Sequence, residues 1–231
     1  MAKKPVKKRA ASTPARRQVK PVAAAPIAWP KVRYSPHPSI QMVIDWIATL
    51  EAKTGRNLEA WIALAVKEGG KDEASRRKFL AEKHGLGTNS AWWIAERSVG
   101  KGGEDSDPAL YLKAAETYVQ EMFGGAKALL VPIYGRLLDL ARATAADIKF
   151  CPCKTIVPFY RKHVIAQVKP STRTRIDFGL ALGDRKGSGR LVETGGFAKK
   201  DRITHKITIS APEDVDAEVR RWLKEAYDRD A

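Results

Sequence analysis

The apolar residues of this chain change period partway along it. Up to about residue 143 they recur every three or four positions; from about residue 155 they recur every second position. A period near 3.6 lines one side of a helix and a period of 2 lines one face of a strand, so a chain that switches once has helices first and a sheet second. The clearest strand is Arg202–Ser210, where Ile203, His205, Ile207 and Ile209 alternate with Arg202, Thr204, Lys206 and Thr208. Thr174–Leu182, Val164–Val168 and Thr155–Tyr160 read the same way. The short connections at Arg161–Lys162 and Lys169–Arg173 favour antiparallel pairing, because parallel neighbours need long crossovers. Asp214 or Asp216 opens a final helix through Trp222 and Tyr227, and residues 183–200 form a Gly-rich loop.

The helical part divides at its capping and stop signals. Ser39 is read as the cap of a first helix whose face is Ile40, Val43, Ile44, Ile47 and Leu50, ended near Gly55. Asn57 caps a second helix with Leu58, Trp61, Ile62 and Ala65, stopped by Gly69-Gly70. Asp72 opens a third with Phe79 and Leu80. Thr88 or Asn89 caps a fourth, with Ala91, Trp92, Ala95 and Val99 at helical spacing. Residues 99–107 read as a flexible linker, followed by a helix from about Pro108 to Phe123. A further helix spans roughly Ala126–Ala143, with Pro132 in its first turn or at a kink. The expected fold is α+β overall: a small all-helical domain over 34–100, a linker and connecting helix over 101–125, and over 126–231 an α+β domain with an antiparallel meander sheet and flanking helices.

Charge is unevenly distributed. Net charge is +16, and residues 1–33 hold ten Lys or Arg with no Asp or Glu, whereas residues 34–98 hold nine bases against eight acids. Five prolines and little apolar surface in the first 33 residues leave nothing to bury, so disorder is expected there. The composition resembles the Lys-Ala-Pro tails of bacterial nucleoid-binding proteins and linker histones. The tail cations Lys3, Lys4, Lys7, Lys8, Arg9, Arg16, Arg17 and Lys20 would attract nucleic acid without regard to sequence, through counterion release. The bland alternative is a solubilising tail.

On the sheet, Lys154, Arg161, Arg173, Arg175, Arg202 and Lys206 come from several strands or strand ends. Together with His205 they make a candidate anion-binding face, since guanidinium groups fit phosphate or carboxylate. The alternative is a solvated face with ordinary ion pairs. His205, set among isoleucines, reads more readily as a buried core histidine than as an acid–base group, and no catalytic residue is assigned. Cys151-Pro-Cys153 is neither a disulfide framework nor a C-x-x-C redox pair, and it lacks the further ligands a zinc site needs. No metal or cofactor is expected. A helix-turn-helix reading of the first four helices is weak, because the last offers only Arg97 and then Lys101 as cations; a packing or protein-interaction module is the alternative.

His37-Pro38-Ser39-Ile40, Lys53-Thr54-Gly55-Arg56 with Trp61-Ile62, and His84-Gly85-Leu86-Gly87 with Ala91-Trp92-Trp93-Ile94-Ala95 resemble the family called domain of unknown function 4287. Cys153-Lys154-Thr155, Phe159-Tyr160-Arg161, Lys169-Pro170, Arg175–Leu180, Asp201–His205 and Trp222-Leu223 with Ala226-Tyr227 resemble domain of unknown function 5655. Neither resemblance implies an activity. The expectation is a non-enzymatic binding protein at nucleic acid, cytoplasmic and near the nucleoid, with no membrane contact. A domain that binds or processes a small anionic metabolite, and a scaffold for a protein partner, stand as alternatives.

Overall fold

A computed structural model describes residues 28–231. Seven α-helices and six strands make up the regular structure of these residues: α1 (Ser39–Thr54), α2 (Leu58–Glu68), α3 (Glu73–His84), α4 (Thr88–Ser98), α5 (Pro108–Met122) and α6 (Val131–Thr144) precede β1 (Lys149–Phe150), β2 (Val157–Tyr160), β3 (Val164–Lys169), β4 (Ile176–Leu180), β5 (Val192–Glu193) and β6 (His205–Ile209), and α7 (Ala217–Asp228) closes the chain. The fold is α+β, helices first and an antiparallel sheet second. No helix among the described residues is long and apolar enough to cross a membrane. The eight tail cations from Lys3 to Lys20, and the disorder expected over residues 1–27, lie outside the described residues.

Asn57 caps α2 by accepting from the Ala60 N–H at 2.9 Å, and Asp72 caps α3 by accepting from the Ser75 N–H at 2.8 Å. Gly55 and Gly85 end α1 and α3 in the left-handed region, at φ 75° and 65°. Two expected caps are corrected. Ser39 is the first residue of α1, and its N–H donates to the His37 Nδ1 at 3.1 Å, so an imidazole two residues upstream does the capping. At α4 the flanking residue is Gly87, and neither Thr88 nor Asn89 makes a capping bond. The face of α4 also differs from the expected one. Ala91, Ile94, Ala95 and Trp93 are buried, and Trp92 is 42% exposed. Trp93 instead packs on Trp46, ring centres 4.9 Å apart.

The first four helices share a core of Leu50, Trp61, Ala65, Leu80, Ala91 and Ile94. A second, larger core joins α6, α7 and the sheet, and the C-terminal end of α5 enters it with Val119, Met122 and Phe123. Tyr111 and Ala115, earlier on α5, meet Ile40 of α1. Helix α5 is therefore shared between the two units. Segment 99–107, expected as a linker, contains a short 3-10 turn (Gly103–Asp105) fastened by Arg97 to Asp105 and to the Ser106 hydroxyl at 3.1 Å. Residues 31–36 also pack rather than trail. Val32 and Tyr34 lie against the larger core, and the Ser35 N–H donates to the Phe150 carbonyl at 2.9 Å. A 3-10 segment over Gly125–Leu130 replaces the expected start of α6 and puts Pro132 in the first turn of the shortened helix, where its missing N–H costs nothing.

The sheet runs β1-β2-β3-β4-β6-β5, every pair antiparallel. The residue pairs Val168↔Phe178, Phe178↔Ile207 and Ile176↔Ile209 face α6 and α7. Two-residue strands β1 and β5 carry too little alternation to be read from sequence. Strand β5 lies inside the Gly-rich loop, which folds back on the outer edge of β6. Arg190 holds that loop to the start of α7, donating to Glu218 at 2.8 Å and to the Asp214 carbonyl at 3.1 Å. On the open face Gly179 leaves room for its neighbours: a Cβ there would stand 2.7 Å from Ile203 Cγ2 and 2.9 Å from Gln167 Cγ.

Candidate functional site

The contact between the two units is hollow. A cavity of about 390 Å³ opens between α4, the 3-10 turn at Gly103–Asp105, α5 and the loop joining β1 to β2. Helical spacing puts its groups there: Trp92 and Glu96 are one turn apart on α4, and Tyr111 and Tyr118 two turns apart on α5. The Tyr118 hydroxyl donates to Glu104 Oε1 at 2.8 Å, and Tyr111 donates to the Pro152 carbonyl at 2.7 Å. Lys154 Nζ lies 4.0 Å from Glu104 Oε1 and 6.0 Å from the centre of the Tyr118 ring.

Electrostatics here depart from those of a free surface. Burial pushes the carboxyls of Glu96 and Asp105 up; at Glu96 the neighbouring acids Asp105, Glu104 and Glu73 add to this against Lys154. Burial also acts upward on Glu104, but its own backbone N–H, the Tyr118 hydroxyl, Lys154 and Arg97 outweigh it, and the carboxyl is held below its ordinary value. Both tyrosine hydroxyls are pushed well up by burial and by nearby negative charge. Asp105 has Arg97 as its partner. The Glu96 carboxylate has no hydrogen-bond or ion-pair partner among the described residues, and it rests against the bare α-carbon of Gly102, where a Cβ would come within 3.0 Å of Oε2. Groups with shifted ionisation gathered in a cleft are a physical mark of a functional site.

His37 and Cys153 line this cavity and also a second one, about 530 Å³, that runs over the open sheet face past Pro158 and Tyr160. The Nδ1 of His37 accepts from a backbone N–H, so the proton of the neutral ring sits on Nε2, which donates to the Tyr160 hydroxyl at 3.1 Å. Burial lowers the His37 pKa and raises both thiols, Cys151 to about 12. The thiols are thus held in their poorly nucleophilic form.

A third hollow, about 630 Å³, adjoins the first. Lys127, Lys154, Lys169 and Arg173 line it, with Glu121 as its one carboxylate. Lys154 and Thr155 belong to both walls. Lys127 Nζ donates to the Pro170 carbonyl at 2.8 Å, which holds it at the rim.

The seven residues expected on one anion face are divided by this arrangement. Only Lys154 and Arg173 share a hollow. Arg161 lies over the Tyr227 ring at 4.2 Å and donates to the Tyr227 carbonyl at 3.1 Å. Arg202 is bound by the buried carboxylate of Asp230 and donates to the Val164 carbonyl at 2.9 Å. Lys206 and Arg175 share Asp177, at 3.0 and 3.8 Å. His205 points to the opposite face from Lys206, only 1% exposed, with its ring nitrogens at 2.8 Å from Thr204 Oγ1 and 2.7 Å from the Arg185 carbonyl. The reason is the intervening carboxylates: Asp177, Asp230 and Asp147 take up cations that charge counting alone leaves free. Sequence reading missed Trp92 as an exposed wall, Glu96, Tyr111 and Tyr118, and it missed Lys127 and Lys169. The one-turn and two-turn spacings on α4 and α5 were the available signal, and nothing local marks those two helices as facing each other.

No curated protein and no solved structure matches the chain. A family model does, over part of the chain, and its match begins at the first α5 residue to enter the larger core: residues 119–230 are similar to the Domain of unknown function (DUF5655).

Proposed function

We propose that this chain is a non-enzymatic binding protein that associates with nucleic acid through its phosphates, using the cations of residues 1–33 together with the hollow of Lys127, Lys154, Lys169 and Arg173. The observation that carries this reading is that hollow: four cations against one carboxylate, on a concave surface of about 630 Å³. Concavity surrounds a phosphate with charge, and the low-dielectric walls strengthen each contact. The Arg and Lys of the sheet face that are already paired to Asp177, Asp230 and Asp147 contribute little. Contact by this means is blind to base sequence. The proposed location is the cytoplasm, at the nucleoid. Residues 34–100 are read as similar to domain of unknown function 4287, a unit that would present the tail beside the cleft. The second reading is a small phosphate-bearing metabolite in the same hollow, favoured by the gathering of Lys127, Lys154, Lys169 and Arg173 around one concavity.

Gel-shift titrations of the full chain on duplex DNA and on single-stranded RNA, over a series of salt concentrations, test this. Binding at about 50 mM salt should weaken steeply as salt rises, with a slope near −0.9 per phosphate neutralised on duplex DNA. Removing residues 1–27 deletes eight of the 42 Lys and Arg and should flatten the slope. The double substitution Lys169→Ala with Arg173→Ala should then remove most of what remains. No shift of either nucleic acid at low salt would sink the reading.

A further inference from the structure

The cavity between the units and the cationic hollow meet at Lys154 and Thr155, and their linings are complementary in kind. One is walled by aromatic rings and holds a carboxylate without a partner among the described residues; the other holds cations. We infer that together they form a site for a guanine nucleotide, with the base between Trp92 and the α5 tyrosines, its edge on Glu96, and its phosphate over Lys154 in the basin of Lys169 and Arg173. This rests on the phosphate reading above and adds the part of the ligand that the phosphate reading leaves open.

Three observations carry it. Trp92 is 42% exposed at the rim of a cavity of about 390 Å³, whereas its neighbour Trp93 is buried. A flat ring laid against Trp92 would cover that surface, and every base has a face that stacks on an aromatic side chain. Glu96 lies half-buried with a carboxylate that is unpartnered among the described residues, and an ionised carboxylate only accepts hydrogen bonds. Guanine alone among the common bases offers two adjacent donors, N1–H and the 2-amino group, matching the two carboxylate oxygens. Adenine and cytosine each place a ring-nitrogen lone pair beside a single donor, and uracil flanks its donor with carbonyls, so each would set an acceptor against an oxygen. Finally, Lys154 stands between the carboxylates and the basin, 4.0 Å from Glu104, and so screens the acidic side from the phosphate side. One chemistry, guanine bearing a 5′-phosphate, has two sources: a free nucleotide, or a guanine splayed out of a single strand.

Calorimetric titration of the full chain with GMP, AMP, UMP and inorganic pyrophosphate separates the parts. GMP should bind at least about tenfold more tightly than AMP or UMP, the discrimination a two-bond contact to a base edge provides. Glu96→Gln keeps the side-chain shape and should bring GMP down to AMP. Trp92→Ala should weaken all three nucleotides. Pyrophosphate has no base and reports the basin alone, and Lys169→Ala with Arg173→Ala should abolish its binding. Equal binding of GMP and AMP, or a GMP preference that survives Glu96→Gln in a protein of unchanged melting temperature, overturns the base assignment. Failure of pyrophosphate to bind overturns the basin reading instead. An oligothymidylate with and without one central guanine identifies the source: a guanine-dependent, Glu96-dependent gain marks a strand, and a gain confined to GMP marks a free nucleotide.

Discussion

Replacing Asp230 should loosen the open end of the sheet more than its place next to the last residue suggests. Its side chain is 3% exposed, and it accepts from the Lys162 N–H at 2.9 Å, the His163 N–H at 2.8 Å and His163 Nδ1 at 2.9 Å, as well as from Arg202. One carboxylate therefore ties the end of α7 to the β2–β3 turn and to the loop before β6. Asp230→Ala takes the acceptor from two backbone N–H groups and from one nitrogen of the Arg202 guanidinium, which keeps its bond to the Val164 carbonyl. Bonds to a charged group contribute about 1.5–3 kcal/mol each. Lys162, His163 and Arg202 are substantially exposed, so water replaces part of each. The expected loss is about 3 kcal/mol, the low end for removing one member of a buried pair. Asp230→Asn keeps the shape and one acceptor oxygen and should cost about 1–2 kcal/mol. Urea unfolding followed by circular dichroism reads the loss, and deuterium uptake over residues 157–168 should rise. The pH dependence has a definite sign. Burial pushes the Asp230 carboxyl up, the His163 bonds and Arg202 push it down, and the downward effects win, so the folded value lies below 3.8. Its contribution is present above that unfolded value and fades as pH falls through the folded one, a loss that Asp230→Asn should not show. A change below about 1 kcal/mol for Asp230→Ala, with unaltered deuterium uptake, would refute this account.

Two further predictions concern the helical unit. Trp93→Ala removes a buried ring packed at a tilt against Trp46 and should cost about 3–5 kcal/mol, whereas Trp92→Ala should cost under about 1 kcal/mol; thermal melts of the two variants reversing that order would contradict the assigned face of α4. His37 has its pKa lowered by burial and accepts from the first N–H of α1. It should titrate below 6.5 by NMR, and the wild type should lose stability as pH falls through 6.5 while His37→Gln does not, because the unfolded chain takes up the proton first.

The parts of this molecule that depend on local chemistry were legible in the sequence. Asn57 and Asp72 stop the chain from entering α2 and α3 earlier because their side-chain oxygens satisfy free N–H groups three residues on. The alternation through Ile176–Leu180 and His205–Ile209 marks two strands with one buried face, and the short connections at Arg161–Lys162 and Lys169–Arg173 make β2, β3 and β4 antiparallel neighbours. Strands of two residues carry no such pattern, so β1 and β5 were invisible. A cap supplied by an imidazole at His37 has no propensity signature and was assigned to the nearer Ser39.

What the tertiary structure alone decided was which charges are free. Counting residues makes the strand arginines and lysines a basic face. Asp177 stands two residues from Arg175 in the sequence, but only packing reveals that it also takes Lys206, and that Asp147 and the distant Asp230 take Arg161 and Arg202. The same packing brings Trp92 and Glu96 of one helix opposite Tyr111 and Tyr118 of another, and sets Lys154 between that cleft and Lys169 and Arg173. Composition and period determine which elements form, because those act within a few residues. Convergence of side chains depends on how helices and sheet dock, and that is fixed by the shape and volume of cores drawn from the whole chain.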